Sequence, residues 1–242
     1  MSAIRTESLV LGYRGKPLCE KLDFAVEPGE VVALFGENGV GKSTLLKTLV
    51  GALPPVSGSV FYGDANGAAL KPGERAKRVS MVFARSEHPR GILVEDYVSL
   101  GCIPWQSWAA ALSDREREAA EEAMELTATA QWRRRPLDEL SDGERQRVFV
   151  ARALAQRAPT ILLDEPCAFL DPRQRVRVLD LLRRAAEEKG RAILFSDHDI
   201  RSSYAVCDRA LALRRGGSWV EGKAGDEAFA GELRAVFGPR AV

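Results

Sequence analysis

Short runs of apolar residues recur along the chain, separated by longer stretches with helical spacing. Four such runs cover residues 31–35, 79–83, 160–163 and 192–195. Runs of this length predict β-strands, and strands that alternate with helices are typical of an α/β domain. Because almost every position in them is apolar, we expect the sheet to be covered on both faces.

The region between the second and third strands has a different pattern. Residues 85–158 contain several helix signals and no strong strand. This predicts a helical subdomain inserted into a single domain, whose α/β core comprises residues 1–84 and 159–242. Ser113 and Glu116 have the spacing of a capping box, which predicts the start of one helix of the insertion.

Beyond the third strand the α/β pattern returns with a long amphipathic helix. Pro172 is placed at a favourable first helical position, and Gly190 is placed to end the helix. Val176, Leu179 and Leu182 are predicted to lie on its buried face.

The composition excludes several classes of protein. Hydrophobic residues make up 45% of the 242-residue chain, and 35 Lys and Arg nearly balance 34 Asp and Glu, so nothing predicts disorder or a nucleic-acid partner. The four cysteines lack the spacing of a zinc site or a disulfide framework, which favours reduced thiols in a cytosolic protein. Residues 1–8 lack the apolar stretch of a secretion signal, so we expect no leader, and no apolar run approaches the roughly 18 residues of a membrane span. If the protein works at a membrane, we expect another chain to cross it.

A glycine-rich segment joins the first strand to the following helix. It has the pattern G-x-x-x-x-G-K-[ST] and comprises Gly36, Glu37, Asn38, Gly39, Val40, Gly41, Lys42, Ser43 and Thr44. In this position, glycines let backbone N–H groups turn towards phosphate oxygens, and the helix N-terminus adds a partial positive charge. Lys42 is expected to reach the β- and γ-phosphates of ATP, and the Ser43 hydroxyl to bind Mg²⁺. A plain glycine-rich turn is the alternative, but it would require neither Lys42 nor Ser43.

Two acids, Asp164 and Glu165, end the third apolar strand abruptly. Asp164 is expected to orient Mg²⁺, and Glu165 to accept a proton from, or to position, the water that attacks the γ-phosphorus. An acidic strand end that caps the next helix is the alternative. The presence of Lys42 favours the catalytic interpretation, since its strand can lie beside this one in a parallel sheet.

Residues 140–146 (Leu-Ser-Asp-Gly-Glu-Arg-Gln) narrow the choice among nucleotide-binding folds. This segment resembles the signature sequence of the ATP-binding cassette (ABC) family. Other motifs follow in the order of that family: Tyr13 before the phosphate loop, Asp171 in a D-loop and His198 in a switch motif. The resemblance covers nearly the whole chain. It implies a P-loop NTPase (RecA-like) core with an antiparallel β subdomain and an inserted α-helical subdomain.

The resemblance also implies roles for single residues. Tyr13 would stack on adenine, with a buried core tyrosine as the alternative. His198 would join Lys42 and Glu165 as a catalytic group by holding the γ-phosphate, although a lone histidine after a strand is more often a surface or capping residue. The remaining implied ATP contacts come from the signature and the D-loop: Ser141, Gly143, Glu144 and Asp171. One phosphate loop and one signature per chain imply a head-to-tail homodimer with two complete ATP sites.

Two positions depart from the family pattern. Ala84 stands where the family has a glutamine, so Arg85, Ser86 or a water takes over its contacts, or coupling to the membrane subunit is weakened. Asp142 replaces a glycine of the signature, and a carboxylate near a triphosphate is repulsive unless it points away or contacts the backbone. We expect ATP hydrolysis to survive both changes.

The chain also resembles the ATPases that serve importers of iron-siderophores, haem and cobalamin, in residues 54–58, 91–94, 98–101, 104–105 and 165–171. This resemblance implies membrane permease subunits as partners, an extracellular substrate-binding protein as an indirect partner, and a peripheral location on the cytoplasmic face of the membrane. Residues 84–105 would form the groove for a permease helix, with Ile92, Trp105 and Trp108 suited to a protein contact. Core packing of these side chains is the alternative. A soluble non-transport ABC protein, or an ATP-binding regulatory switch with weak turnover, is the alternative function.

Overall fold

The computed structural model describes residues 1–13, 15–84, 88–106, 111–168, 170–239 and 241–242. The strands are β1 (Ile4–Val10), β2 (Gly12–Tyr13), β3 (Lys16–Pro17), β4 (Ala25–Val26), β5 (Val31–Gly36), β6 (Ser57–Tyr62), β7 (Ala65–Asn66), β8 (Val79–Val82), β9 (Thr160–Leu163), β10 (Ala192–Ser196), β11 (Arg209–Leu213) and β12 (Trp219–Lys223). The α-helices are α1 (Lys42–Leu49), α2 (Pro72–Ala76), α3 (Val94–Ser99), α4 (Asp114–Leu126), α5 (Asp142–Ala155), α6 (Pro172–Lys189), α7 (Ile200–Tyr204) and α8 (Glu227–Phe237). Short 3₁₀ helices occur at Gly67–Ala69, Leu100–Trp105, Ala130–Trp132 and Leu137–Glu139.

A six-stranded sheet forms the centre of the fold, in the order β12-β11-β5-β10-β9-β8. Its neighbouring strands are parallel except for the pair β11 and β12. The four strands predicted from apolar runs are confirmed as β5, β8, β9 and β10, and nearly all of their residues are buried. Along β5, Val31 and Ala33 face one apolar core and Val32 and Leu34 face the other, as the two-residue period of a strand requires.

We expected that the strand before Lys42 could lie beside the strand before Glu165, and the structure shows that it does not. β10 lies between β5 and β9, with Ile193 opposite Val31 on one side and Ile161 on the other. Because all three strands are parallel, their carboxyl ends still meet at one edge of the sheet, where ligands bind in open α/β folds.

A second, antiparallel sheet has the order β4-β1-β6-β7. It packs over α1 and one face of the central sheet, in a core that includes Ile4, Leu45 and Leu194. Tyr62 Oη donates a 2.6 Å hydrogen bond to the Leu49 carbonyl and so links β6 to the end of α1. The antiparallel region that the family resemblance implies is therefore present.

Helices α3, α4 and α5 pack together over the opposite face of the central sheet, where the rings of Tyr97 and Phe149 lie 5.5 Å apart. The predicted capping box is confirmed, because Ser113 and Glu116 exchange side-chain and backbone hydrogen bonds at the start of α4. The division into a core and an inserted subdomain at residues 85 and 158 stays a prediction. Within the described ranges, no helix is long and apolar enough to cross a bilayer.

The predicted ends of α6 are confirmed, but the prediction that Val176 lies on its buried face is wrong. The helix begins at Pro172 and ends at Gly190, which has a left-handed φ of 61°. Leu179 and Leu182 are buried, whereas Val176 is 53% exposed and Val178 packs in the core instead. At about 100° per residue, Val176 lies roughly 120° from Leu182 around the helix, outside the stripe that faces the sheet.

Candidate functional site

The phosphate loop surrounds the N-terminus of α1. Gly39 and Gly41 have φ values of +80° and +119°, and no atom lies within 4 Å of where a Cβ would stand on either residue. Glycine is favoured at both positions because other side chains rarely adopt such φ values. The loop thereby leaves an open cleft, which is lined by Asn38, Gly39, Gly41, Lys42, Ser43, Thr44 and Glu165.

The Lys42 side chain lies inside this loop and is only 5% exposed. Its Nζ donates hydrogen bonds to the Gly36 carbonyl at 2.7 Å and the Glu37 carbonyl at 3.3 Å. Burial lowers the pKa of Lys42, and the carboxylates of Glu165, Asp164 and Asp197 oppose that shift because they favour the charged form. Neutral carbonyls hold the ammonium weakly compared with an anion, so phosphate oxygens can replace them.

The two acids after β9 are fixed by one hydroxyl on the neighbouring strand. Ser196 Oγ donates to Asp164 Oδ1 at 2.9 Å and accepts from the backbone N–H of Glu165 at 2.9 Å. Asp164 is 4% exposed, whereas the Glu165 side chain reaches the cleft. Glu165 has a φ of 51°, a left-handed conformation that is strained for a residue with a side chain. The turn that places this carboxylate at the cleft therefore requires a strained backbone.

The side chain of His198 contacts the carboxylate of Glu165 directly. Its Nε2 lies 2.6 Å from Glu165 Oε1, and the two side chains are 43% and 27% exposed. Glu165 also lines the cleft with Lys42 and Ser43. The structure thus brings together the predicted catalytic groups Lys42, Glu165 and His198, although the strand order differs from the expectation.

Asp197 is a further buried group at this edge of the sheet, and no motif in the sequence marks it. Its carboxylate accepts hydrogen bonds from the backbone N–H of His198 at 2.7 Å and from Ser203 Oγ at 2.7 Å. Arg175 of α6 donates to both of its oxygens, at 3.0 and 2.8 Å. Asp197 thereby fixes the backbone that carries His198 and links it to α6.

The signature segment forms the N-terminus of α5. Ser141 Oγ accepts from the Glu144 N–H at 3.4 Å, and the Glu144 carboxylate accepts from the Ser141 N–H at 2.9 Å and from its hydroxyl at 2.8 Å. These hydrogen bonds lower the pKa of Glu144. The segment lines a separate pocket, formed by Ser141, Gly143, Glu144, Arg147, Gln174 and Arg177. None of its residues lines the phosphate-loop cleft of the same chain.

Asp142 and Ala84, the two positions that depart from the family pattern, have different surroundings in the structure. The Asp142 carboxylate pairs with the guanidinium of Arg145, one turn further along α5, so its charge is partly neutralised. Ala84 is exposed at the end of β8. Arg85 and Ser86, the side chains expected to compensate for it, lie outside the described residues.

Two predicted ATP contacts lie away from the cleft lining. Tyr13 is 59% exposed on the short hairpin of β2 and β3, which excludes the core-tyrosine alternative. Asp171 caps α6 by accepting 2.9 Å hydrogen bonds from the N–H groups of Arg173 and Gln174. The adenine and D-loop roles of these residues stay predictions.

The expected permease groove is partly apolar and exposed. Ile92 is partly buried against the main core, which agrees with the packing alternative for that residue. Trp105 is 36% exposed, and its Nε1 donates a 2.6 Å hydrogen bond to the Gln156 carbonyl. Ile103 nearby is 55% exposed. Trp108 lies outside the described residues.

The order of motifs and the geometry of the cleft agree with a comparison against protein families. The family model described as ABC transporter matches residues 19–168, which is more than half of the chain. The chain belongs to the ABC transporter family. It is an ATP-hydrolysing subunit of that family.

Relatives and solved structures match almost the full length of this ABC ATPase. The achromobactin transport ATP-binding protein CbrD of Dickeya dadantii (strain 3937) is 33% identical over 98% of this chain and 88% of its own. The iron(3+)-hydroxamate import ATP-binding protein FhuC of Bacillus subtilis (strain 168) is 35% identical over the same shares. A dimeric structure of MJ0796, a bacterial ABC transporter cassette, superposes with a TM-score of 0.79 at 26% identity, covering 91% of this chain and 98% of that one.

Proposed function

We propose that the chain is the ATPase subunit of an importer for an iron chelate, a siderophore or a related haem- or cobalamin-like molecule. The observation that carries the catalytic part is the cleft that holds Lys42, Ser43 and Glu165, with His198 at 2.6 Å from the Glu165 carboxylate. The glycine-lined space in this cleft fits a triphosphate, since backbone N–H groups and a helix N-terminus bind anions well.

Each residue of the cleft has a different role in phosphoryl transfer. Lys42 binds the β- and γ-phosphates, and Glu165 accepts a proton from, or orients, the water whose oxygen attacks the γ-phosphorus while ADP leaves. His198 holds the attacking geometry through its contact with Glu165 and a γ-phosphate oxygen. Ser43 and Asp164 are suited to bind Mg²⁺, which when bound polarises phosphate oxygens. Hydroxyl and carboxylate oxygens are ligands that this cation prefers, so the residues present fit it.

A complete ATP site requires a second copy of the chain. Ser141, Gly143 and Glu144 lie in a pocket apart from the phosphate-loop cleft of their own chain. A head-to-tail homodimer places each signature opposite the partner's γ-phosphate and closes two equivalent sites. The dimeric structure of the similar cassette supports the assembly of two copies. We assign Asp171 to the same interface and Tyr13 to adenine.

The import part of the proposal rests on the relatives. The names of the two relatives describe achromobactin transport and iron(3+)-hydroxamate import. We infer a membrane permease as partner, a peripheral position on the cytoplasmic face, and an extracellular substrate-binding protein that acts through the permease. The exposed side chains of Leu100, Ile103 and Trp105 suit the permease contact.

The catalytic assignment is tested by Mg-dependent phosphate release from the purified protein. We expect Glu165→Gln to bind ATP but to slow turnover by about two to four orders of magnitude, because it removes a proton-accepting or water-orienting group. Glu188→Gln is the matched control, since that exposed acid pairs with Arg184 away from the cleft. A turnover rate of Glu165→Gln within threefold of wild type would remove Glu165 from this role. No turnover by wild type above the Glu165→Gln rate would favour the regulatory-switch alternative.

The transport assignment is tested by purifying the tagged chain from membranes of its own source. We expect a permease to co-purify and to be released by Ile103→Asp, whereas an exposed control, Glu122→Gln on α4, keeps it. Recovery of the chain without any membrane protein would favour a non-transport ABC protein.

A further inference from the structure

A second cleft lies behind α1, on the side of the antiparallel sheet. It is formed by the last turn of α1, the loop that follows it, strands β6 and β7, the 3₁₀ helix at Gly67–Ala69 and one side chain of α2. The lining residues are Thr48, Gly51, Leu53, Pro54, Pro55, Gly58, Ser59, Val60, Tyr62, Asn66, Gly67, Ala68 and Arg75. None of them takes part in the nucleotide cleft.

The walls of this cleft are largely apolar. Leu53, Pro54 and Pro55 supply accessible apolar surface, whereas Val60 and Tyr62 are 8% and 2% exposed. The Tyr62 hydroxyl is already engaged by its hydrogen bond to the Leu49 carbonyl. The empty space amounts to about 740 Å³ including the open mouth. A concave site with a few polar groups on apolar walls has the character of clefts that bind small organic molecules.

Two polar groups on these walls lack a partner among the described residues. Thr48 is 3% exposed, and its hydroxyl is buried without a hydrogen bond. Arg75 is half-buried, and no carboxylate pairs with its guanidinium within the described ranges. The guanidinium packs closely over Gly51, where a Cβ would lie 2.5 Å from Arg75 Nε, so it is held at the cleft rather than extended into water.

An unpaired cation beside apolar surface favours one class of ligand. A carboxylate or sulfonate can accept two hydrogen bonds from a guanidinium, and such charge-assisted bonds are stronger than neutral ones. A flat or aliphatic body attached to that anion would cover the walls and remove apolar surface from water. We infer that this cleft binds a small organic anion, with an apolar body against Leu53, Pro54 and Pro55 and its charge on Arg75.

The probe for this inference is the fluorescent dye 8-anilinonaphthalene-1-sulfonate, which joins an aromatic body to one anionic group. The full-length protein is titrated with dye in the presence of saturating ADP, so that the nucleotide cleft is occupied. We expect one saturable site. Arg75→Gln should weaken dye binding about tenfold or more, as loss of a charge-assisted hydrogen bond does. Lys77→Gln should leave it unchanged, because that cation stacks on Trp105 instead.

Two further variants locate the dye and test the hydroxyl. Ala68 is exposed at the rim of the cleft, so Ala68→Trp should fold normally and block the site. Thr48→Val keeps the shape of the side chain and should leave dye binding unchanged, because the hydroxyl is buried beneath the wall of the cleft.

Competition with charged and uncharged ligands separates the contribution of the anionic group to binding from that of the apolar body. We expect 2-naphthoate to displace the dye at about one tenth of the concentration that uncharged 2-naphthol requires, and this preference should vanish in Arg75→Gln. The inference is overturned if wild type binds no dye beside ADP, or if both Ala68→Trp and Arg75→Gln bind it as wild type does. Circular dichroism melting of each variant shows whether a loss of binding reflects a loss of fold. Because ATP turnover is not the readout, failure here leaves the proposed ATPase function standing.

Discussion

At the scale of single residues, Lys42 is the group on which nucleotide affinity should depend most. Its ammonium is buried and held by two loop carbonyls, so a triphosphate gives it the anionic partner that it lacks. We expect Lys42→Ala to weaken ATP binding about 10- to 100-fold, as loss of charge-assisted hydrogen bonds does. Lys47→Ala in the last turn of the same helix is the control. Equal ATP affinity of both variants in a fluorescence titration would contradict the assignment of the loop.

The buried thiol of Cys207 should make stability depend on alkaline pH. Burial raises its pKa from 9.0 to about 12, so above pH 9 the unfolded chain loses a proton that the folded chain keeps. Stability is therefore fully present below pH 9 and is lost as the pH rises towards 12, by up to about 1.4 kcal/mol per pH unit for this group. Urea unfolding of Cys207→Ala should show a shallower loss over this range than wild type. An identical pH dependence would exclude this thiol as a contributor.

The site residues that the sequence predicted belong to local motifs. Lys42, Ser43, Asp164 and Glu165 stand next to the strands and glycines that position them, so the sequence spacing alone indicates their chemistry. Asp197 differs, because its partner Arg175 lies 22 positions earlier in the chain and is brought close only by the fold. No local pattern marks such a pair.

At the scale of elements, α4 and α5 carry the same capping box and provide a matched test of the signature. Ser113 and Ser141 each accept a hydrogen bond from the N–H three residues later. Replacing either by alanine should cost about 1 kcal/mol of stability. Only Ser141→Ala should also reduce ATP turnover, since only that helix is proposed to face the partner's nucleotide. Melting curves and phosphate release measured side by side decide this, and an equal loss of turnover in Ser113→Ala would make the effect one of stability alone.

The four predicted strands lie where apolar residues are nearly continuous, but the similar run at residues 210–213 of β11 was missed. β5, β9 and β10 are buried on both faces, and their sequences are therefore nearly uninterrupted apolar runs. β1 is buried at only some positions along its length, so its sequence lacks such a run. The order of strands was not predictable from the runs themselves. The position of β10 between β5 and β9 depends on how the connecting helices pack, and that information is spread over the whole chain.

At the scale of the whole molecule, the proposed head-to-tail dimer predicts that two copies assemble when ATP bridges them. We expect Glu165→Gln, which cannot turn ATP over quickly, to sediment as a dimer with ATP and as a monomer with ADP. The double variant Glu165→Gln/Ser141→Ala should need more ATP to dimerise, because it disrupts the signature that we propose to contact the partner's γ-phosphate. Analytical ultracentrifugation measures both, and a monomer at saturating ATP would argue against the head-to-tail arrangement.

Because the backbone of Glu165 is left-handed, thermal stability favours glycine at this position, whereas the proposed catalytic role requires a carboxylate. A side chain in this conformation costs about 1–2 kcal/mol, which glycine would not incur. Glu165→Gly and Glu165→Ala both delete the carboxylate, yet thermal denaturation should find the glycine variant more stable by about 1 kcal/mol. The acid that we propose to activate water therefore stands where the main chain would favour glycine. Selection for thermostability without selection for turnover would therefore be expected to remove this acid.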